Sequence, residues 1–229
     1  MAPSARTVEV RRLQKTEYSD AYAHQQELVE GRIEDRVPDL LVLTEHEPVV
    51  TTGRGTDAGA TAGVEAPIFE IERGGEATYH GPGQLVVYPI LKLEPEERDL
   101  HNYLRNLEEV VIRILGEFDV EGHRDERGTG VWVGDQKIAS VGVAVRRWVT
   151  WHGFALNVHT DLSAFQSFNP CGLPPETMTR LVDHAEMGPG LMLAEVLTVK
   201  HFCDVFDREL PPPAPPAPSS GFPELPLLQ

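Results

Sequence analysis

The stretch Arg73–Pro89, RGGEATYHGPGQLVVYP, decides how this chain is read. It gathers four glycines, a Gly-Pro-Gly turn, a Tyr-His pair and an Arg-Gly-Gly corner. Glycine costs backbone entropy on folding, so such a cluster suits places where the main chain bends tightly or must come close to a ligand. Gly81-Pro82-Gly83 is a strong turn signal, and LVVYPIL after it reads as a mostly buried strand. A glycine-rich hairpin alone would explain the turn. It would not explain Arg73, Thr78, Tyr79, His80 and Gln84 beside it, polar side chains for which a simple chain reversal has no use.

Outward from that stretch the elements alternate. Val8–Arg12 reads as a strand, Tyr18 to about Glu34 as a helix and Asp39–Thr44 as a buried strand. Gly53–Gly63 is a glycine-rich loop whose GRGT lacks the Lys-Ser/Thr ending of a phosphate-binding loop. Phe69–Glu72 and Leu85–Leu91 read as the strands flanking the key turn. Asp99–Phe118 has the clearest helical stripe, Leu100, Leu104, Leu107, Val111, Ile114 and Leu115. Val131–Val133, Ile138–Val145 and Val149–Leu156 read as a sheet meander. Leu191 to Arg208 reads as a last helix, with Leu193, Val196, Val199, Phe202 and Phe206 at helical spacing. Helices interspersed with antiparallel hairpins predict an α/β (α+β) single domain with a mixed sheet over residues 1–210. From Pro211 the sequence PPPAPPAPSSGFPELPLLQ predicts an extended or disordered tail, 211–229.

Composition narrows the function classes. A chain of 229 residues can build one sizeable core. No run approaches the ~20 apolar residues of a membrane helix, and MAPSARTVEV lacks the apolar centre of a secretory signal. A net charge of −16 speaks against nucleic acid, which wants a basic face. Two cysteines suit a reducing cytoplasm, and the absence of zinc-type spacing predicts no metal.

The two cysteines differ in setting. Cys203 lies within the last helix, where a thiol behaves as a small hydrophobe. Cys171 lies in SFNPCGLP, between proline and glycine and outside any periodic pattern, which makes it the candidate nucleophile. Lys137, opening KIASVGVAV, is its candidate partner, since an ammonium beside a thiol favours the reactive thiolate and can carry a proton. Lysines also blunt strand edges, and spacing alone does not bring Lys137 to Cys171.

In order and spacing, RGGEATYHGPGQLVVYP, KIASVGVAV, WHGFALNV and SFNPCG resemble the lipoyl(octanoyl) transferases, and LVLTEHEPVVTTGRGT fits the N-terminal half of that family. The resemblance covers roughly Val8 to Leu210. It implies the biotin/lipoate protein ligase-like catalytic fold, the acyl-thioester cysteine at Cys171 and its activating lysine at Lys137. The acyl-lining segments it implies are Arg73, Gly74, Gly75, Glu76, Ala77, Thr78, Tyr79 and His80; Ser140, Val141 and Gly142; and Gly153, Phe154 and Ala155. Glu76 lies in that run with no role of its own, while His80 is either pocket lining or a structural histidine. Phe154, Val141 and Tyr79 are expected to wall an apolar slot.

The implied reaction takes octanoyl from octanoyl-acyl carrier protein to a lysine of lipoyl domains, those of 2-oxoacid dehydrogenases and the glycine cleavage H protein, without a cofactor. Acyl carrier proteins are acidic, so a local basic patch is expected among Arg54, Arg73, Arg124, Arg127, Arg146, Arg147 and Arg180. Two alternatives stay open at this point, an ATP-dependent lipoate or biotin-type ligase and a non-catalytic acyl-carrier-binding protein.

Overall fold

The computed structural model describes residues 6–57, 59–61 and 63–212. The first strand, β1 (Arg6–Arg12), leads through α1 (Tyr18–Ile33) to β2 (Asp39–Thr44), which pairs parallel with β1. Then β3 (Val49–Thr52), β4 (Ile68–Glu70) and β5 (Thr78–His80) form a small sheet in the order β4-β3-β5. The chain returns to the large sheet as β6 (Gln84–Ile90) and continues through α2 (Leu100–Gly116). The meander β7 (Gly130–Val133), β8 (Gln136–Arg146) and β9 (Val149–Asn157) follows. Short 3-10 turns between Leu162 and Asp183 carry it to α3 (Leu191–Phe206) and β10 (Arg208–Glu209). The large sheet is mixed, with seven strands in the order β10-β1-β2-β6-β9-β8-β7.

Apolar runs explain the centre of that sheet. DLLVLT, QLVVYPI and VTWHGFALN are buried at every position, as strands covered on both faces must be. Alternation divides their side chains. Leu41, Leu43, Leu85 and Val87 point toward α2 and α3, while Val42, Val86, Tyr88 and Ala155 point toward α1. α2 begins on Asp99, whose carboxylate accepts from the amides of His101 and Asn102, a favoured helix start.

One buried charge stitches the sheet edge. The Asp39 side chain, 1% exposed, accepts from Arg32 Nε at 2.8 Å, Arg6 Nη2 at 3.0 Å, Arg208 Nε at 3.3 Å and the Lys92 amide at 3.0 Å. These contacts tie β1, α1, β2 and β10 together.

Three expectations change. The Gly81-Pro82-Gly83 turn does not close a hairpin: β5 pairs with β3 and β6 pairs with β2 and β9, so the turn passes the chain from one sheet to the other. The strands β3 and β5, of four and three residues, are too short to leave a periodic signal. On α3 the inward face holds Ala194, Thr198, Val199, Phe202 and Phe206, while Leu193 and Val196 are about half exposed, at 47% and 53%. A helix apolar almost all round does not declare its buried face. The proline-rich tail lies outside the described residues from Pro213 onward. Among the described residues no helix is long and apolar enough to cross a membrane.

Candidate active site

The small sheet packs over the large one so that their facing sides enclose a cavity of about 440 Å³. Arg73, Gly74, Gly75, Glu76, Thr78 and His80 line it from the small-sheet side. Lys137, Ser140, Val141 and Gly142 of β8 and Gly153, Phe154 and Ala155 of β9 line it from the large one. Register holds those strands together, with Ser140 opposite Ala155 and Gly142 opposite Gly153. Glycine at 142 lets the two sides close: a Cβ there would meet Arg73 Cδ and Gly74 O at 3.1 Å. Cys171 completes the lining.

The thiol is held by an unusual backbone. Cys171 has φ 54° and ψ 32°, a left-handed conformation that costs a non-glycine residue on the order of 1–3 kcal/mol. Its amide donates to Ala77 O at 2.7 Å, and its Sγ lies 3.6 Å from Ser140 Oγ. Ala77 therefore anchors the cysteine loop and does not line the cavity.

Lys137 is 1% exposed, yet among the described residues its ammonium has no carboxylate or hydrogen-bond partner. A register shift between Val131 and Trp132, on the strand opposite, accompanies its placement. Gly130, at φ +146°, leaves it room, since a Cβ there would come 2.7 Å from Lys137 Cε. Gly130 is in turn fixed by the buried Glu108, whose Oε1 accepts from its amide at 3.0 Å. Lys137 O accepts from Thr179 N at 3.0 Å, joining the lysine strand to the segment that follows the cysteine loop.

Arg73 is a second buried cation without a carboxylate partner among the described residues. Its Nη2 donates to Thr51 O at 2.9 Å and Thr51 Oγ1 at 3.0 Å, and its Nη1 to Gly74 O at 3.1 Å. Burial pulls its pKa below the usual guanidinium range, and a negative charge on Cys171 pulls it back up.

The histidines here are neutral. Gln84 Oε1 can only accept, which puts the His80 proton on Nδ1 and leaves Nε2 to accept from Thr51 Oγ1, 3.3 Å away. The His80 Nδ1–H then donates to Gln84 Oε1 at 2.7 Å. Burial, with His46 nearby, pushes His80 down to about 3. Both nitrogens are engaged, and His80 lines the cavity. His46, bonded to Tyr88 Oη at 2.6 Å, is pushed down to about 4 by burial.

Some lining residues carry no signal in the amino-acid sequence. Tyr18 at the start of α1, together with Val86, Tyr88 and His152, faces the cavity. His152 lies in the WHGFALNV motif, at φ 56°, with its ring Nε2 buried and without a partner among the described residues. Burial and then Arg73 push its pKa to about 3. Tyr79, expected as a wall, points away: β-strand alternation sends Thr78 and His80 inward, and Tyr79 packs edge-on against Phe165 at 5.4 Å.

The expected arginine patch is mostly neutralised. Arg124 pairs with Glu108 and Glu109, Arg127 with Asp125 and Asp135, Arg146 with Glu30 and Arg180 with Asp183. Among the described residues only Arg54 and Arg147 of that set are exposed without an acidic partner.

A single domain with a large mixed sheet, a glycine-walled cavity and a loop cysteine defines a class. Residues 17–210 match the family model described as the lipoyl protein ligase A/B catalytic domain. The chain is 50% identical over 186 residues to the octanoyltransferase of Gloeobacter violaceus, covering 80% of this chain and 82% of that one. It is 44% identical over 207 residues to the octanoyltransferase of Geobacter metallireducens, covering 88% and 95%. Among solved structures it resembles the bipartite lipoate protein ligase of Thermoplasma acidophilum, with a TM-score of 0.70 at 16% identity over 90% of this chain and 86% of that one. The biotin protein ligase of Aquifex aeolicus with biotin and ATP matches with a TM-score of 0.54 at 13% identity, over 86% and 70%. The chain belongs to the octanoyltransferase family within the lipoyl protein ligase A/B catalytic class, and it is an acyltransferase.

Proposed function

We propose that this protein transfers an octanoyl group from octanoyl-acyl carrier protein to a lysine of lipoyl carrier domains, through a thioester on Cys171. One observation carries the reading: a thiol on a strained turn opens onto an apolar slot that also holds an unpartnered lysine. The carrier's thioester enters the slot, and the Cys171 thiolate attacks its carbonyl. The buried cations Lys137 and Arg73 stabilise the negative charge that develops. Collapse leaves octanoyl on Cys171 and releases the carrier thiol. The acceptor amine then forms the amide, with Lys137 carrying the proton. Thioester exchange is nearly isoenergetic and amide formation is downhill, so ATP is not needed.

The slot supplies the chain selectivity. Burial contributes about 0.8 kcal/mol per CH₂. Along β8 the rise of about 3.3 Å per residue puts Val143 and the facing His152 roughly 10 Å beyond Ser140, about the length of an eight-carbon chain. Gly74, Gly75, Ser140, Val141, Gly142, Gly153, Phe154 and Ala155 serve as its walls. Acceptors of the lipoyl-domain type, in 2-oxoacid dehydrogenases and the glycine cleavage H protein, follow from the same reading. Two free cysteines accord with a cytoplasmic location. The catalytic unit is assigned to residues 1–210, with the proline-rich tail dispensable.

Intact mass after mixing with octanoyl-acyl carrier protein, without ATP, tests the reading. The expected result is a one-octanoyl increment that hydroxylamine removes, that persists in Cys203→Ala and disappears in Cys171→Ala. No adduct, with acceptor modification only when ATP and free acid are supplied, would overturn it in favour of a ligase.

A further inference from the structure

Among the residues lining the cavity, three carry a positive charge, Arg73, Arg127 and Lys137, and one a carboxylate, Glu76. Arg73 and Lys137 are buried, whereas Glu76 is exposed. Its carboxylate rests against the cysteine loop. A Cβ on Gly172, whose φ is +70°, would come 2.3 Å from Glu76 Oε2, which places this oxygen beside the residue following Cys171. Among the described residues Glu76 makes no ion pair or hydrogen bond. An unengaged carboxylate therefore stands beside the cysteine loop, opposite in sign to the other charged side chains lining the cavity.

The two half-reactions ask for different charges. The first brings a thioester, which develops negative charge, and Lys137 and Arg73 suit it. The second brings a lysine that arrives as an ammonium, since the free side chain has a pKa near ~10.4. An ammonium entering a cavity lined by cations meets repulsion and then has to lose a proton before it can attack. The geometry points to Glu76 as the acceptor-binding group, the carboxylate that receives the incoming lysine ammonium at the mouth and takes its first proton.

The step balances. The ammonium hydrogen-bonds to Glu76 and gives up one proton, which passes through the exposed carboxylate to bulk water. The resulting amine attacks the thioester carbonyl; the C–N bond forms and the C–S bond breaks. The second N–H proton, carried by Lys137, ends on the Cys171 sulfur. The products are the amide and the free thiol.

This inference rests on the thioester reading above, and the experiment separates their failures. Octanoyl-enzyme is made from octanoyl-acyl carrier protein and followed by intact mass. It is then isolated and discharged either by a lipoyl domain or by hydroxylamine, an amine that is neutral near pH 7. Glu76→Gln should acylate within about twofold of the parent but discharge to the lipoyl domain roughly tenfold more slowly, and Glu76→Lys more slowly still. Hydroxylamine should discharge parent and variants alike. Glu76→Asp, which keeps the charge on a shorter arm, should recover part of the loss. Glu76 is exposed, so matching urea midpoints are expected. Equal slowing with both nucleophiles, slowed acylation, or unchanged discharge to the lipoyl domain would overturn the role of Glu76 alone. Failure of the parent to form octanoyl-enzyme would overturn the thioester reading and this inference with it.

Discussion

Two regions of the molecule bury charge in opposite ways. At the sheet edge, the buried Asp39 carboxylate meets three guanidinium groups and a backbone amide, and those arginines are in turn shared with Glu97 and Asp35, so the charges there are mutually compensated. Around the cavity, Lys137 and Arg73 are buried with no carboxylate partner among the described residues. Removing a charge from water costs several kcal/mol, which only a partner offsets. A fold that compensates one site and leaves the other open keeps the second charge for something that arrives later. In the proposed reaction that is the negative charge on Cys171 and on the tetrahedral intermediate.

The strongest test of this contrast pairs one substitution from each region. Lys137→Met keeps the length of the side chain and removes its charge. Transfer should fall about 10³-fold, within the range of proton-transfer catalysis, while the urea midpoint holds or rises. Asp39→Asn should do the reverse. Arg6 and Arg208 keep Glu97 and Arg32 keeps Asp35, but removing the buried charge at the centre of this network is expected to cost about 3 kcal/mol of stability, with the rate per folded molecule unchanged. Chemical unfolding and single-turnover kinetics on both variants suffice. A destabilised Lys137→Met or an inactive but stable Asp39→Asn would dissolve the distinction.

Arg73 is a narrower case because it both braces and faces the cavity. Its three hydrogen bonds hold Thr51 and Gly74 in place. Arg73→Met should reduce transfer by roughly 10²-fold, the cost of losing one transition-state donor, with no more than about 2 kcal/mol of stability lost. Arg73→Lys should recover part of the rate. A loss of stability with intact rate in the folded fraction would make Arg73 a brace only.

The contrast also marks what the amino-acid order discloses. Arg73, Lys137 and Cys171 stand out in sequence because glycine and proline crowd around two of them and small residues follow the third. The strands β2, β6 and β9 and the helix α2 are equally plain, being long and apolar or strongly periodic. Asp39 does not stand out. It opens an ordinary strand, and its partners Arg6, Arg32 and Arg208 lie as far as 169 residues away along the chain, a distance no local spacing can bridge. Tyr18 and His152 reach the cavity for the same reason, through packing between α1, the small sheet and β9. The exposed half of α3 and the two-sheet role of the Gly-Pro-Gly turn are likewise settled by what packs against them. The absence of a partner, the feature that most distinguishes the cavity, is by its nature a tertiary property.

Acid sensitivity gives the smallest effect and the finest resolution. His46 is pushed down to about 4, and His80 and His152 to about 3, from the ordinary 6.5. Burial is the main cause for all three, and the uncompensated charge of Arg73 adds to it for His80 and His152. A base with a depressed folded pKa binds its proton more readily when unfolded. The stability it confers is therefore complete above pH 6.5 and is lost progressively as pH falls toward 3–4. Each such histidine contributes a slope of at most about 1.4 kcal/mol per pH unit in that window. Urea unfolding from pH 7.5 to 4.5 should show stability falling with acid, and His46→Gln should remove about one proton from the slope. The link to Arg73 is the discriminating part. With its charge removed in Arg73→Met, His80 and His152 accept protons more easily in the folded protein, so the profile should begin to fall at the same pH with the same slope but level off at a higher pH, read by extending the titration to about pH 3. Levelling off at the same pH with and without Arg73 would mean that burial alone keeps these rings neutral and that the open charge exerts no field on its neighbours. A profile flat to pH 5 in the parent would mean the rings are not neutral bases in the folded state at all.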